Sequence, residues 1–545
     1  MKMFLAFLYL NPNKTTRELQ DICNKLHSSS PATNTEKMML FCFNNFPAHY
    51  RSCLLYLSVF PQGYKIKRTS IVRRWVAEGL ISRREGPSAL DTASHCFDAL
   101  VAQRFILPEQ EVRPTTRKSK SFYRVHELVG DFLINWLATY DYSVDPELPP
   151  DMAQRLSIQK EIEEKKTDLT SSYGIMELLV PTKRSVPYPL HLLNVLDLEG
   201  CRGLKKKHLK IICKKVSHLR YLGLKDTDIP CLPKHIHKLQ QLETLDIRKT
   251  KVRESDTKYL MLPLLKCLYA GCIIKYTSGN TSRSNESLET VQNPREIGRM
   301  TNMEVLSHVK VSNGAEELLH IRNLKLKKLG VILYGKRSNM KYLFNQIEKM
   351  DKCLRSLSIW IEGPSNDDHA DDPMLSLLSP PKFLQSLSIS GTGALLTRWI
   401  GKLGQLSKLS LRETCLSDND FVILGNLGCL CYLRLRYVSF EGSVLTFTNG
   451  AFMNLIILDI EDKEIRKLIF QYGATPKLEK LVWSCKCMES PEGLEDLQSL
   501  REFELNGVSQ DIGIMQKDSI ELCSFQDGGN GSKEKMLHKA LNRKD

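Results

Sequence analysis

The residues of this chain that could do chemistry are thinly spread. His126 lies between Val125 and Glu127, an imidazole followed at once by a carboxylate. His235 and His237 are separated by one residue, but no acid or cysteine stands at ligand spacing from them. The pairs Cys429/Cys431 and Cys485/Cys487 lack a second pair or nearby histidines, so no zinc site is expected. Asp367, Asp368, Asp371 and Asp372 crowd a polar insertion, yet their spacing does not fit a calcium loop and reads as a solvated acidic loop. No serine or cysteine sits in a nucleophile-elbow or thiol-protease word. No G-x-x-x-x-G-K-[ST] segment occurs, so neither backbone cradle nor lysine is offered to a triphosphate. The chain is read as a non-enzyme that needs no metal.

What the sequence does contain is a repeat. From Leu193 to Leu505 the phrase L-x-x-L-x-L returns roughly every 22 to 30 residues, the period of leucine-rich repeats. Clear copies begin at Leu193, Leu219, Leu242, Leu384, Leu406 and Leu430, with looser ones at Leu354, Leu455, Leu478 and Leu500. Each phrase makes one strand of a parallel sheet, and its leucines need the neighbouring repeats to bury them. The residues between the leucines face outward on the concave side. Such a solenoid is a binding shape far more often than a catalytic one.

Before the repeats the pattern is helical. Apolar residues recur at three- and four-residue spacing over Thr35–Asn44 and Ala48–Ser58, broken by Pro47. Further helices are expected near Thr69–Glu78, stopped by Gly79, near Ala89–Ala102 and over Glu127–Ala138. Two short β-like runs, Phe105–Leu107 and Phe122–Val125, flank a basic loop. Short helices with a two-stranded ribbon describe a winged helix. The expected organisation is α/β: a winged-helix domain over 35–140, a linker over 141–154, and a parallel-sheet horseshoe over 155–510. Arg155–Ile158 reads as an atypical first strand capping that solenoid. A Ser-, Asn- and Gly-rich stretch over 276–295 reads as an inserted, mobile loop, and 511–545 as a tail, disordered from 526.

At 545 residues, with 42% hydrophobic and 26% charged residues, the chain has globular composition and room for two or three units. Met1–Leu10 is apolar, but only Lys2 precedes the run and no small-residue cleavage site follows, so an interior helix explains it better than a signal peptide. No stretch reaches the ~20 apolar residues of a membrane span. Sixteen cysteines without a secretory signal read as reduced thiols in a cytoplasmic protein, with the nucleus as an alternative. The net charge of +15 is concentrated in part at Lys205, Lys206, Lys207, Lys210, Lys214 and Lys215, with Arg202 just before them. That flank is either a solvated surface or a dock for an acidic partner. Aromatic residues are not interleaved with the lysines, so nucleic acid is not the expected partner.

Three words in order carry a resemblance. Cys53-Leu54-Leu55-Tyr56-Leu57-Ser58-Val59-Phe60-Pro61, Arg73-Arg74-Trp75-Val76-Ala77-Glu78-Gly79-Leu80-Ile81 and Tyr123-Arg124-Val125-His126-Glu127-Leu128-Val129, just ahead of the ladder, resemble the plant nucleotide-binding leucine-rich-repeat (NLR) disease-resistance proteins of the coiled-coil class common in grasses. The resemblance covers residues 1 to about 505. It implies that 1–34 is a C-terminal helical remnant of the nucleotide-binding module. It also implies that the third word matches the M-H-D motif, whose histidine touches the β-phosphate of bound ADP. Here Val125 replaces methionine and Glu127 replaces aspartate. With the phosphate loop missing, the sequence is expected to be the C-terminal two-thirds of such a protein. No cofactor is expected for this chain, although complete relatives bind ADP or ATP.

The expected function is plant innate immunity: recognition of a pathogen effector or a guarded host protein. The expected contact residues are Arg220, Tyr221, Glu243, Asp246, Lys408, Ser410, Arg434 and Arg436, carried about 4.8 Å apart on adjacent strands. An intramolecular contact between winged helix and repeats is also expected. A second reading makes the chain a regulatory partner or decoy of a full-length NLR, docking through the winged helix and the basic flank. A third makes the winged helix a DNA reader, with Arg68, Arg73, Arg74 and the Arg113–Lys120 wing on phosphates.

Overall fold

The computed structural model describes residues 2–10, 17, 20, 23, 24, 33–81, 88–109, 122–139, 152–167, 190–275, 286–311, 320, 321, 324–334, 337–350, 352–362, 379–391, 397–485, 489–506 and 521–524. They fall into two compact units, divided between Asp246 and Ile247.

The first unit opens with helices α1 (Lys2–Leu10), α2 (Asn34–Asn44) and α3 (Ala48–Tyr56). Thr33 caps α2: its hydroxyl accepts from the Glu36 backbone at 3.2 Å and Glu36 returns a carboxylate to the Thr33 backbone at 2.7 Å. This reciprocal box satisfies two otherwise orphaned donors. Pro47, lacking an N–H, starts α3 at no hydrogen-bonding cost. Helix α4 (Arg68–Glu78) ends at Gly79, whose φ of 79° is the left-handed conformation that lets Leu80 N–H reach back to Trp75 O at 3.1 Å. Helices α5 (Ala89–Ala102) and α6 (Glu127–Thr139) complete the helical part. Strands β1 (Ile66–Lys67), β2 (Ile106–Pro108) and β3 (Phe122–Val125) form an antiparallel sheet in the order β1-β3-β2, one strand more than the sequence suggests. Leu54, Val59, Trp75, Phe97, Leu100 and Phe105 fill the core of this winged helix, each at most 1% exposed.

Residues 155–158 are not a strand. They belong to helix α7 (Met152–Thr167), which also takes the end of the expected linker. Arg155-Leu156-Ser157-Ile158 alternates like a strand when read alone. Over a longer window the buried positions fall at Arg155, Leu156, Ile158, Gln159, Ile162 and Glu163, the three- and four-residue spacing of a helix face. The first repeats follow as parallel strands β4 (Val195–Asp197), β5 (Tyr221–Gly223) and β6 (Thr244–Asp246), with Val195, Tyr221 and Thr244 in register. Helix α8 (Lys206–Lys215) lies between β4 and β5 in sequence, and a 3-10 turn over Lys234–Lys238 takes its place in the next repeat.

The second unit is one long ladder. Parallel strands β7 (Cys267–Tyr269), β11 (Val305–Val311), β12 (Lys328–Tyr334), β13 (Ser356–Glu362), β14 (Ser386–Ser390), β15 (Lys408–Arg412), β16 (Tyr432–Arg436), β18 (Ile457–Glu461), β20 (Lys480–Ser484) and β21 (Glu502–Asn506) pair in that order. Leu357, Leu387, Leu409, Leu433, Leu458 and Leu481 stand in one register column, each at most 1% exposed. Burying one such side chain contributes about 1.5–3 kcal/mol, and every one needs its neighbours' repeats to do so. Strands β17 (Val444–Phe447) and β19 (Lys467–Phe470) make a second parallel sheet, with Phe447 stacked on Phe470 at 4.6 Å.

Three expectations change here. The interruption at 276–295 is partly ordered: β8 (Cys272–Lys275) and β9 (Glu286–Glu289) form an antiparallel hairpin, and β10 (Val291–Gln292) pairs with β11. Residues 276–285, where the insertion was expected to be mobile, lie outside the described residues, as do 363–378 and 525–545. Strands β11 and β12 escaped the leucine phrase because Val and Ile take some of its places. The ladder also runs past residue 510, since β22 (Glu521–Ser524) pairs antiparallel with β21 and covers its free edge.

Candidate functional site

Two surfaces of the molecule hold most of its organised polar chemistry, one in each unit. In the first, α4 lies against the open face of β4 and β5, where Ala77, Val195 and Tyr221 form a small apolar cluster. Beside it Arg74 is buried, with 4% of its side chain exposed. Its Nη1 donates to Glu163 of α7 at 2.9 Å, and its Nε and Nη2 donate to Asp197 at the end of β4, the former at 3.1 Å. Burial works against the charge, but Asp197 and Glu163 outweigh it and raise the Arg74 pKa well above its usual value. Two further links flank this one. Glu78 meets Arg155 at 3.2 Å and accepts from Gln159 of α7, while Glu199 accepts from Lys67 at 2.6 Å and from Lys225. Burial raises the Glu78 pKa despite Arg155. At Glu199 burial raises the pKa too, but the lysine hydrogen bonds prevail and the net shift is downward.

The expected contact between winged helix and repeats is therefore present, and it corrects other expectations. Tyr221 (2% exposed) and Asp246 (3%) are buried, so neither is available to a partner. Arg220 and Glu243 remain half-buried at the rim, Arg220 beside His191, His218 and Gln241 in a cavity of about 240 Å³. Arg73 and Arg74 are both buried, and Arg68 is chelated by Asp98 at 2.7 and 2.6 Å. That withdraws all three from a DNA-reading surface. The Arg113–Lys120 wing lies outside the described residues.

His126 precedes α6, and its backbone carbonyl accepts from Val129 and Gly130, while its own N–H donates to Phe105 O at 3.0 Å. The ring is half-buried and Nδ1 has no hydrogen-bond partner among the described residues. Burial lowers the pKa, with Glu127 opposing. One imidazole is not a phosphate cradle, and the described residues do not by themselves fit a nucleotide. Among the described residues no group of three or more His, Cys, Asp or Glu could hold a metal ion.

In the second unit, the outward positions of the ladder line up across strands. One row runs Ser358, Ser388, Ser410, Arg434, Asp459, and its neighbour runs Ser390, Arg412, Arg436, Glu461. At its head, Gly330 has no side chain because the bulge at His308 brings that residue's backbone nitrogen to 2.7 Å from where a Cβ would stand. The serine part is a lane floored by short side chains. The charged part is a network: Arg434 meets Asp459 at 3.1 Å and Glu461 at 3.5 Å, and Arg436 meets Glu461 at 2.9 Å. Arg412 lies over Trp360 at 4.3 Å and Tyr437 at 5.0 Å, a cation held between two rings. Burial raises the Asp459 pKa in spite of Arg434, and burial beside Asp459 pushes Tyr432 up to about 12. Of the expected contact residues, Lys408 is exposed, Ser410 is half-buried, and Arg434 and Arg436 are engaged within the network rather than free.

The basic flank is α8. Lys205, Lys206, Lys207, Lys210, Lys214 and Lys215 are all exposed, whereas Arg202 leaves the group by pairing with Asp226 at 3.2 Å and Asp228 at 3.5 Å. Sequence reasoning missed Glu163, Asp197, Glu199, Trp360 and Arg412. The signal for Glu163 and Asp197 is that Arg74, in the Arg73–Ile81 word, is a charge its own helix does not pair.

Comparison with known proteins agrees with this architecture. Residues 182–521 match the family described as a leucine-rich repeat region, and residues 59–133 match the disease resistance protein winged helix domain. Both are non-catalytic folds. The disease resistance protein Pik-2 of Oryza sativa subsp. japonica is 27% identical over 566 residues, covering 91% of this chain and 54% of that protein. The disease resistance protein RGA4 of the same plant is 26% identical, covering 90% and 48%. The chain thus spans about half the length of the curated relatives it matches. An internalin structure from Listeria monocytogenes superposes at a TM-score of 0.33 with 15% identity, over 58% of this chain and 87% of that one, too loosely to add to the argument. On its ladder and its winged helix together, the chain belongs to the NLR-type leucine-rich-repeat disease-resistance proteins of plants.

Proposed function

We propose that this chain serves plant innate immunity as the recognition end of an intracellular receptor. Its partner is a pathogen effector or a host protein that such an effector modifies, and the open face of β13 to β18 is the surface that meets it. The observation that carries this reading is the in-register run Ser358, Ser388, Ser410, Arg434, Asp459. A lane of small hydroxyls beside a charge network offers room for a protruding segment and charges to orient it. Relatives described as disease resistance proteins support the biological setting.

The test is steric. Ser388→Trp with Ser410→Trp fills the lane, and Lys408→Glu changes the charge at its edge. Co-expression in leaf tissue with a panel of candidate effectors should show physical association and cell death with the parent protein. Both should be lost in the variants while thermal unfolding stays unchanged. Association that survives a filled lane would place recognition elsewhere.

A further inference from the structure

We propose that the outer face of α8 is a second docking surface, and that its occupant is an acidic protein segment. Between Gly200 and Gln241 the chain holds eleven lysines and arginines against two aspartates. Those two, Asp226 and Asp228, are taken by Arg202. The other carboxylates nearby, Asp197 and Glu199, are taken by Arg74, Lys67 and Lys225. The lysines of α8 form no ion pair among the described residues. Leu209, Ile212 and Cys213 turn inward and fix the helix, so Lys206, Lys210 and Lys214, four residues apart, form one stripe along its exposed side.

The 3-10 turn over Lys234–Lys238 extends the patch. That turn packs against α8, and Lys234 and Lys238 are exposed on it. Helix stability does not call for this arrangement. Lys206 and Lys207 occupy the first turn, where the helix dipole disfavours cations. Among the described residues no carboxylate pairs with them, so their natural complement is a row of carboxylates from outside.

The chemistry of the face selects among polyanions. A lipid surface is gripped most firmly where apolar or aromatic side chains enter the headgroup layer, and here the apolar side of α8 is turned into the core. Single-stranded nucleic acid needs stacking rings, and none stands among these lysines. A ten-residue helix is about 15 Å long, matched to a short acidic stretch.

The experiment uses the full chain and a fluorescent poly-glutamate peptide, read by anisotropy over a salt series. The parent protein should bind, with affinity falling as salt rises. Lys206→Glu, Lys210→Glu and Lys214→Glu together should weaken binding roughly tenfold or more, and the three Gln replacements should weaken it less. Lys382→Glu, an exposed lysine of the other unit, should leave binding unchanged. Peptide binding indifferent to both triple variants would overturn the proposal. So would lysine-dependent capture by phosphatidylserine vesicles or by duplex DNA without capture of the peptide.

Discussion

Arg74 and Arg434 each face two carboxylates, yet they do different things. Arg74 has 4% of its side chain exposed, and its partners come from 89 and 123 residues away, on α7 and β4. Arg434 has 12% exposed, and its partners, Asp459 and Glu461, sit on the next strand of the same sheet. Desolvation makes the first cluster all-or-none: its charges are tolerable only while all three are in place. The second keeps more contact with water, 12% at Arg434 and 16% at Asp459. Buried charge here joins a domain to its neighbour, while the ladder's charges tie one strand to the next.

The largest predicted effect breaks that comparison at its stronger end. Arg74→Met leaves Glu163 and Asp197 buried and uncompensated, and should cost the first unit about 3–5 kcal/mol in denaturant unfolding. Adding Glu163→Gln and Asp197→Asn should restore most of it, because no charge is then left stranded. A shift of equal size in the transition of the second unit would show that the two do not unfold separately. The matching change in the ladder, Leu409→Ala, should cost the second unit about 2–5 kcal/mol by opening a cavity in a column of leucines. Arg434→Ala should cost roughly 1 kcal/mol, because water substitutes for it. A loss as large as that of Arg74→Met would mean that the ladder network is structural after all.

The smallest effect is the most discriminating, because its sign differs between the two surfaces. Glu199 titrates below its usual 4.5 in the folded protein, through burial opposed and outweighed by Lys225 and Lys67. Its contribution is fully present above pH 4.5 and fades as pH falls through the lower folded value. Asp459 titrates above its usual 3.8, so its contribution is present below that pH and fades as pH rises through the folded value. In urea titrations across the acidic range, the gap between Glu199→Gln and the parent should narrow on acidification. For Asp459→Asn the gap should move in the variant's favour as pH rises. Parallel slopes would remove the distinction.

Much of the fold was legible because it repeats. Leu193, Leu219, Leu242 and their successors announce strands, and Gly79 and Pro47 announce helix ends, since each is a local preference that tertiary contacts did not override. Val309 and Val331 carried the same role less visibly, so β11 and β12 were not among the phrases. Arg155–Ile158 misled because four residues fit both periods, and only the longer run to Thr167 separates them. Tyr221 misled for another reason. Its place in the repeat points outward, but the winged helix lies over that place, and a repeat pattern carries no information about what covers it.

The sequence by itself determined the ladder, the winged helix and the crowding of lysines before β5, because each is written in spacing or in short-range charge. Tertiary structure alone decided which outward residues are free. It sealed Tyr221, Asp246 and Arg74, tied Arg434 and Arg436 into a network, and left the lysines of α8 without an ion pair among the described residues. The reason is physical. Burial and ion pairing depend on distances between residues far apart in the chain, and those distances exist only after the core has folded.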